Sequence, residues 1–367
     1  MKIALIHDHL AQDGGAEKVL AAFLEIWPEA PVFVVVYNKN KANKIFLKND
    51  IRTSFIQSLP FGIKKYKWYL PLYPAAVENY DLSEFDVILS SNSAFAKGII
   101  TRPNTLHICY CHTPTRFLWS DTHSYIKELG VTSVVKKFLP LFLSNIRIWD
   151  RLAAERVDKF IANSALVQNR IKKYYKADST IIYPPVEAAK FSLGQPKDYF
   201  LAGGRLVPYK RFDLVVEAFN RLGRPIKIFG EGPEYQTLKN KAKSNIEFLG
   251  LVSDQQKAKL YQEALAYINP QEEDFGITMV EAMAAGRPVI AYKAGGAKEI
   301  IIAGKTGEFF DEQTWEDLAD AVVKFKPQKY QTQQIRDHAL KFDVTFFKEN
   351  IKNFVEEQYN NFNNNNN

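Results

Sequence analysis

Short apolar runs rich in β-formers alternate with longer stretches of helical periodicity, and the chain of 367 residues does this twice. The first series runs Lys2–Ile6, helix Glu17–Ile26, Val32–Val36, Val87–Ser90, His107–Tyr110, Lys159–Ala162, helix Leu166–Tyr174 and Thr180–Tyr183. The second runs Tyr199–Ala202, Ile226–Phe229, Ile246–Leu249, Ala266–Asn269 and Val289–Tyr292, with helices at Arg211–Arg221, Glu234–Ala242, Gln255–Glu263, Ile277–Ala285, Lys298–Ala303 and Thr314–Phe325. Runs that are apolar on both faces and separated by helices belong to buried parallel strands. Between the series, from Tyr183-Pro184-Pro185-Val186 to Gln195-Pro196-Lys197, prolines remove backbone donors and the periodicity lapses.

The expected fold class is therefore α/β, two facing Rossmann-like domains with an interdomain cleft, at 1–190 and 191–344. Ligands of such sheets bind beyond the carboxyl ends of the strands. A last amphipathic stretch, Thr345–Tyr359, repeats apolar residues at Phe346, Phe347, Ile351, Phe354 and Val355 and needs a surface to cover. The asparagine-rich end, 361–367, has nothing to pack and is expected to be disordered.

Composition narrows the function classes. Hydrophobic residues make up 46% of the chain and charged residues 24%, enough to bury a large interior. The net charge of +7 is unevenly spread: residues 1–190 carry +8 and the remainder −1. Lys136 to Lys176 holds ten Lys or Arg against three acidic residues, and Lys64-Lys65-Tyr66-Lys67-Trp68-Tyr69 adds a basic aromatic patch. Such a surface suits an anionic membrane, an anionic substrate or a nucleic acid, but no base-reading module accompanies it, so a nucleic-acid partner is not expected. Cys109 and Cys111 share one strand face and make no secreted disulfide framework. With no signal-peptide pattern at the N-terminus and charges breaking the best apolar stretch, Val131–Trp149, the expectation is a cytoplasmic protein, with any membrane contact peripheral.

Two motifs carry the chemistry. Gly203-Gly204-Arg205-Leu206-Val207-Pro208-Tyr209-Lys210 follows an expected strand and precedes a helix. Its glycines permit close backbone approach, and its two cations can straddle a diphosphate without a metal. No Asp-x-Asp pair occurs, so no metal cofactor is expected. The second motif runs from Glu273 through Phe275, Gly276, Ile277, Thr278 and Glu281 to Gly286-Arg287-Pro288. A glycine at the helix entry exposes the first-turn N–H groups to an anion, and both carboxylates can reach a bound polyol. Weaker signals are Asp13-Gly14-Gly15 at the first helix, Gly230-Glu231-Gly232-Pro233 as a cleft lining or a turn, and His112 past the strand His107–Tyr110. His7-x-His9 lacks a third ligand for zinc.

Together the Glu-x7-Glu element, the Gly-Gly-Arg-x4-Lys loop, the Gly14-Gly15 loop and His112 resemble glycosyltransferase family 4, retaining enzymes of GT-B fold, over nearly the whole chain. Tyr110-Cys111-His112-Thr113-Pro114-Thr115-Arg116-Phe117-Leu118-Trp119, with Asn163-Ser164 and Tyr183-Pro184-Pro185, looks like the O-antigen mannosyltransferase branch. The resemblance implies a hexosyl transfer, mannose from GDP-mannose foremost, to a glycan or lipid-linked acceptor in cell-surface polysaccharide synthesis at the inner face of the plasma membrane. Arg205 and Lys210 would hold the donor diphosphate with N–H groups at Gly15 and 275–278. Glu281 would bind the ribose, Glu273 and His112 the transferred sugar, and the base would lie by Gly250. The helix at 345–360 would cross back to the N-terminal domain. A UDP-sugar donor, or a nucleotide-sugar binding protein without catalysis, are the competing readings.

Overall fold

The computed structural model describes residues 1–123, 126 and 133–366. It divides into two compact units, Met1–Tyr183 with Phe347–Asn367, and Pro184–Phe346. In the first unit the chain runs β1 (Ile3–His7), α1 (Gly15–Ile26), β2 (Val32–Val34), β3 (Ile51–Thr53), α2 (Tyr73–Glu78), β4 (Val87–Asn92), β5 (Leu106–Cys111), α3 (Ser133–Ala154), β6 (Lys159–Ala162), α4 (Ala165–Tyr174) and β7 (Ser179–Ile181). The strands pair in parallel in the order β3-β2-β1-β4-β5-β6-β7. Every residue of β1, β4 and β5 is buried, as expected of strands covered on both faces.

The second unit repeats the plan with β8 (Phe200–Gly203), α5 (Phe212–Leu222), β9 (Ile226–Phe229), α6 (Tyr235–Lys241), β10 (Ile246–Gly250), α7 (Asp254–Glu263), β11 (Tyr267–Asn269), α8 (Ile277–Ala284), β12 (Val289–Tyr292), α9 (Ala297–Ile300), β13 (Gly307–Phe310), α10 (Trp315–Lys324) and α11 (Thr332–Ala339). Its parallel sheet has the order β10-β9-β8-β11-β12-β13. Phe200, Phe219, Ile228, Ile268 and Ile290 form the heart of its core. In each sheet the strand order reverses once, between β1 and β4 and between β8 and β11. Loops leaving adjacent strands diverge at such a switch point and leave a crevice between them.

The sheets have edge strands that the apolar pattern did not reveal. β3 is Ile-Arg-Thr with two exposed residues and β13 is Gly-Glu-Phe-Phe, half-buried in its middle. A one-sided edge strand does not read as apolar on both faces. The unit boundary falls at Tyr183/Pro184, at the start of the proline-rich break rather than near residue 190. The break packs on the second unit, where Val186 bridges Asp343 and Gln262 donates to Leu193 O.

The last helix, α12 (Val344–Asn366), carries its backbone through 361–366, where disorder was expected, and residue 367 lies outside the described residues. Extending an existing helix fixes one residue per added hydrogen bond, far less costly than nucleating one. Phe347, Ile351 and Val355 are buried, and Phe347 stacks on Phe23 of α1 and meets Tyr110 of β5 edge-on. Of the stretch Val131–Trp149, residues 131 and 132 lie outside the described residues. Among the described residues no helix is long and apolar enough to cross a membrane.

Two measurements test this packing. Phe347→Ala should destabilise the first unit by roughly 3–5 kcal/mol, the usual loss for a buried phenylalanine, seen in denaturant unfolding and in faster hydrogen exchange of α12. Phe346→Ala next door, at an exposed side chain, should change stability by less than about 0.5 kcal/mol. The second concerns His107 of β5, fully buried, whose pKa burial pushes down to about 4. The unfolded chain then takes up this proton first as pH falls through about 6.5, so stability is lost between there and about 4. This side chain accounts for on the order of 3 kcal/mol of that loss. Equal acid sensitivity of wild type and His107→Leu, read from denaturation midpoints, would refute the assignment.

Candidate active site

At the switch point of the second sheet, β8 ends at Gly203 and Gly204 turns the chain with φ +139°. Arg205 follows, exposed, and the turn Pro208–Lys210 brings Lys210 back. On the other side of the reversal, the loop after β11 leads to α8, whose cap is Gly276 at φ +108°. Lys210 Nζ lies 2.9 Å from Glu273 Oε1, and Gln271 Nε2 donates to the same oxygen at 2.9 Å. Asn269 Nδ2 donates to Gln271 O at 2.9 Å, while Asn269 Oδ1 and Gln271 Oε1 are buried without a partner. A cation, a carboxylate and the first turn of α8 thus meet at one crevice, with two buried unfilled acceptors alongside.

Glycines hold this crevice open. A Cβ on Gly230 would collide with Gly204 O, and one on Gly232 with Leu206 O. The contact lets Gly204 N–H donate to Phe229 O at 3.1 Å and Leu206 N–H to Glu231 O at 2.8 Å. The Gly230-Glu231-Gly232 segment is therefore a brace for the Arg205 loop, more than the turn it resembled. Gly250, at φ +66°, closes the series by accepting from Gly230 N–H at 2.7 Å. Gly295 and Gly296, which the motif reading missed, do the same for the second loop. A Cβ on either would strike Glu273 O or Phe275 O, and Gly296 N–H donates to Glu273 O at 2.8 Å. Phe275 packs edge-on against Phe342, and Thr278 lies by the Tyr267 hydroxyl, which donates to Gly203 O at 2.8 Å.

Glu281 is more enclosed than its place on α8 suggested. It is buried, with Lys257 Nζ of α7 at 3.1 Å and the Tyr261 hydroxyl donating at 3.4 Å. Lys257 escapes motif reading, because a pair 24 positions apart leaves no local pattern. Burial, with the Tyr267 ring and the Glu281 charge beside it, raises the Tyr261 pKa far above the phenol range, so it stays a donor.

In the first unit, β1 delivers Asp8 to the β1/β4 switch point. Its carboxylate is buried and accepts four backbone N–H groups, those of Ser93, Ala94, Phe95 and Ala96 at 2.7–3.0 Å. Burial pushes its pKa up, but His7, His9 and these donors outweigh that and hold it below the usual carboxylate range. Gly14 caps α1 and Gly15 opens it, with Glu17 buried in the first turn. A Cβ on Gly14 would press on Glu17 Oε2, which is buried and unpartnered.

A polar chain runs from Glu17 to His112. Glu17 Oε1 lies 3.8 Å from His7 Nε2, His7 Nδ1 3.1 Å from Ser91 Oγ, and Ser91 Oγ 2.8 Å from His112 Nε2. The facing carboxylate favours a proton on His7 Nε2, so neutral His7 accepts the Ser91 hydroxyl proton at Nδ1. Ser91 Oγ then accepts from His112 Nε2–H, leaving His112 Nδ1 as a bare acceptor. Burial, with His7 alongside, lowers the His112 pKa to about 4, which keeps it neutral near pH 7. His9 instead meets Tyr66, ring centroids 4.9 Å apart, so His7 and His9 serve different partners. Among the described residues, no three His, Cys, Asp or Glu side chains are grouped to hold a metal ion.

The segment after His112 is fixed from beneath. Asp150 of α3 is buried and accepts from Lys97 Nζ at 2.5 Å, Thr115 Oγ1 at 2.7 Å, Trp119 Nε1 at 2.8 Å and the Tyr175 hydroxyl at 3.0 Å. Thr115 and Trp119 of the Tyr110–Trp119 motif thus have a shared anchor that sequence reading did not find.

Two family models match the chain. One, described as Glycosyltransferase Family 4, covers residues 13–190, and the other, Glycosyl transferases group 1, covers residues 186–342. An uncharacterized glycosyltransferase of Methanocaldococcus jannaschii is 28% identical over 183 residues, 48% of this chain and 52% of that protein. The match thus spans about half the length of that relative. The alpha-1,3/1,6-mannosyltransferase ALG2 of Dictyostelium discoideum is 26% identical over 299 residues, 67% of each chain. Among solved structures, Anabaena Alr3699/HepE in complex with UDP and glucose superposes with a TM-score of 0.72 at 19% identity, covering 97% of this chain and 99% of that one. At that identity the likeness shows the fold alone. Two matches that run end to end from residue 13 to 342, on two parallel sheets each reversed at one switch point, make this chain a member of the GT-B glycosyltransferases, family 4-like in its first unit and group 1 in its second.

Proposed function

We propose that the chain transfers a hexosyl unit, with retention of configuration, from a nucleoside diphosphate sugar to a glycan or lipid-linked acceptor. The observation that carries this reading is the crevice where Lys210 meets Glu273 beside the first turn of α8. Phosphate oxygens need cations and N–H donors, and sugar hydroxyls need a carboxylate. Arg205 and Lys210 hold the diphosphate with the N–H groups of 275–278, Glu273 binds the sugar, and Glu281, oriented by Lys257 and Tyr261, binds the ribose. The base lies by Gly250. In the first unit, His112 offers Nδ1 to a substrate hydroxyl and the α1 entry at Gly14–Gly15 offers N–H groups.

The bond from the anomeric carbon to the phosphate oxygen breaks, its electron pair leaving with the diphosphate. The acceptor oxygen bonds to the same face, and its proton passes to the departing phosphate oxygen. The charge building on the diphosphate meets Arg205 and Lys210, which therefore stabilise the transition state beyond the ground state and need no metal. Mannose is favoured as the sugar by the Dictyostelium mannosyltransferase, the relative matched over the greater length. The Anabaena structure with UDP keeps a UDP-sugar as the alternative.

The acceptor reading extends to a membrane surface. α3 presents Phe138, Leu141, Ile148 and Leu152 in one exposed helical stripe, and Lys65 Nζ stands 3.8 Å over the exposed Trp68 ring. Apolar side chains among cations suit an anionic lipid interface.

Two experiments follow. In a transfer assay with GDP-mannose, UDP-glucose and UDP-N-acetylglucosamine, Arg205→Ala should lower turnover on the accepted donor by roughly 10²–10³, the scale of one lost preorganised donor. Unchanged turnover would remove Arg205 from the mechanism, and failure of all three donors in wild type would remove the reading. The chain should co-sediment with phosphatidylglycerol vesicles but not phosphatidylcholine vesicles, and release as salt shortens the screening length from about 10 Å to about 3 Å. Leu141→Glu should weaken that binding, and equal behaviour towards both lipids would rule the surface out.

A further inference from the structure

The donor crevice uses the carboxyl ends of the second sheet. Off the opposite ends, before β11 and β12, lies a second cavity of about 530 Å³ that the proposed transfer does not use. Leu193, Leu265, Pro288 and Tyr330 give it apolar walls, and Thr332 and Gln328 stand at its margin. Its volume falls in the range of small-molecule sites, roughly 300–1,000 Å³. Gly286, at φ +74°, makes it possible, because a Cβ there would collide with Thr332 and Leu193.

Arg287 also lines this cavity, and its environment is unusual. The side chain is 3% exposed, one terminal nitrogen donates to Gly194 O, and Nε is buried without a partner. Among the described residues no carboxylate pairs with it. Burial holds its pKa below the ordinary guanidinium value, and the Tyr199 phenol is the group that opposes this. An uncompensated buried cation costs several kcal/mol. Asp150 and Asp8, by contrast, each have a counter-charge or a full set of hydrogen bonds. Arg287 lines an open volume while its Nε is buried without a partner.

We propose that this cavity is a binding site for a small organic oxyanion, a carboxylate or phosphate ester with a compact apolar body. The anion sits on Arg287 and completes its hydrogen bonds, while the body lies against Leu193, Leu265 and Tyr330. A guanidinium suits an oxyanion, and the apolar wall rewards a body over a bare ion. α8 connects the two sites: its first turn opens on the donor crevice, and Arg287 follows Gly286 just past its last turn. Eight residues at 1.5 Å rise make that about 12 Å.

The test titrates the full chain with 4-fluorobenzoate and with phenyl phosphate, followed by ligand fluorine NMR or calorimetry, with inorganic phosphate as the bodiless control. Both organic anions are expected to bind at least about tenfold more tightly than phosphate, since a buried phenyl ring is worth more than the 1.4 kcal/mol that tenfold represents. Arg287→Met should abolish binding while leaving the melting temperature unchanged or raised, because an apolar isostere relieves the unpaired charge. Gln328→Trp, at an exposed rim residue, should block entry without touching Arg287, and Arg205→Ala should leave binding intact. If Arg287→Met fails to fold, the residue serves stability and the proposal falls. Absence of binding to wild type, binding that survives Gln328→Trp, or binding lost in Arg205→Ala also overturns it. Preference between the two probes separates a carboxylate from a phosphate ligand.

Discussion

The second unit's site depends on backbone approaching backbone with no side chain between. Gly230 lies against Gly204 O, Gly232 against Leu206, Gly295 against Glu273 and Gly296 against Phe275. Each approach allows a hydrogen bond between neighbouring loops, from Gly204 to Phe229, Leu206 to Glu231, Gly230 to Gly250 and Gly296 to Glu273. The loops after β8, β9 and β10 become one bonded set and those after β11 and β12 another, joined by the Lys210–Glu273 pair. Lys210 and Glu273 are mounted on these sets and paired with each other at 2.9 Å, so they are positioned before a ligand arrives, while the Arg205 side chain stands exposed beside them. A single methyl at Gly230 would move the Gly204 peptide and Arg205 with it.

The first unit meets the same requirement with a side chain. Asp8, at the corresponding switch point, gathers four successive N–H groups into one carboxylate and so sets the loop after β4. Asn92 adds a fifth tie through its Oδ1 to the Lys97 N–H. The result places Ser91 between His7 and His112. A single hydroxyl there couples the two imidazoles, donating to His7 Nδ1 and accepting from His112 Nε2. The tautomer that His112 shows to a substrate is thus set by a carboxylate on α1 through two intermediates.

What was legible in the sequence follows from range. β6, β9 and β12 were readable to the residue because each is mostly apolar and buried, interrupted only by Lys159 and Lys227. β3 and β13 were not, because an edge strand has one wet face. Motif glycines and the Lys210–Glu273 chemistry announced themselves through local spacing and composition. The partners that tune them did not: Lys257 for Glu281, Ser91 for His112 and Asp150 for Thr115 and Trp119 are brought together by the sheet order, over separations of 24, 21, 35 and 31 positions. The role of Gly230-Glu231-Gly232 was hidden for the same reason, since its partner loop lies one strand away in space and a helix away in sequence.

Buried charge separates structural from functional positions in this molecule. Asp150 faces Lys97 and has four donors on two oxygens, a closed network whose members all lie in the core. Asp8 is closed in the same sense by peptide groups. Such groups are satisfied by the fold itself, and removing any partner would leave an unpaired charge costing more than the lost contact. Glu281 is intermediate, paired with Lys257 and Tyr261 yet next to a crevice with two unfilled acceptors. Arg287 is open: a guanidinium with a free Nε, no carboxylate and a cavity beside it. The fold itself supplies the partners of Asp8 and Asp150, and Arg287, past the far end of α8, differs from both in lining a cavity with its Nε unpartnered.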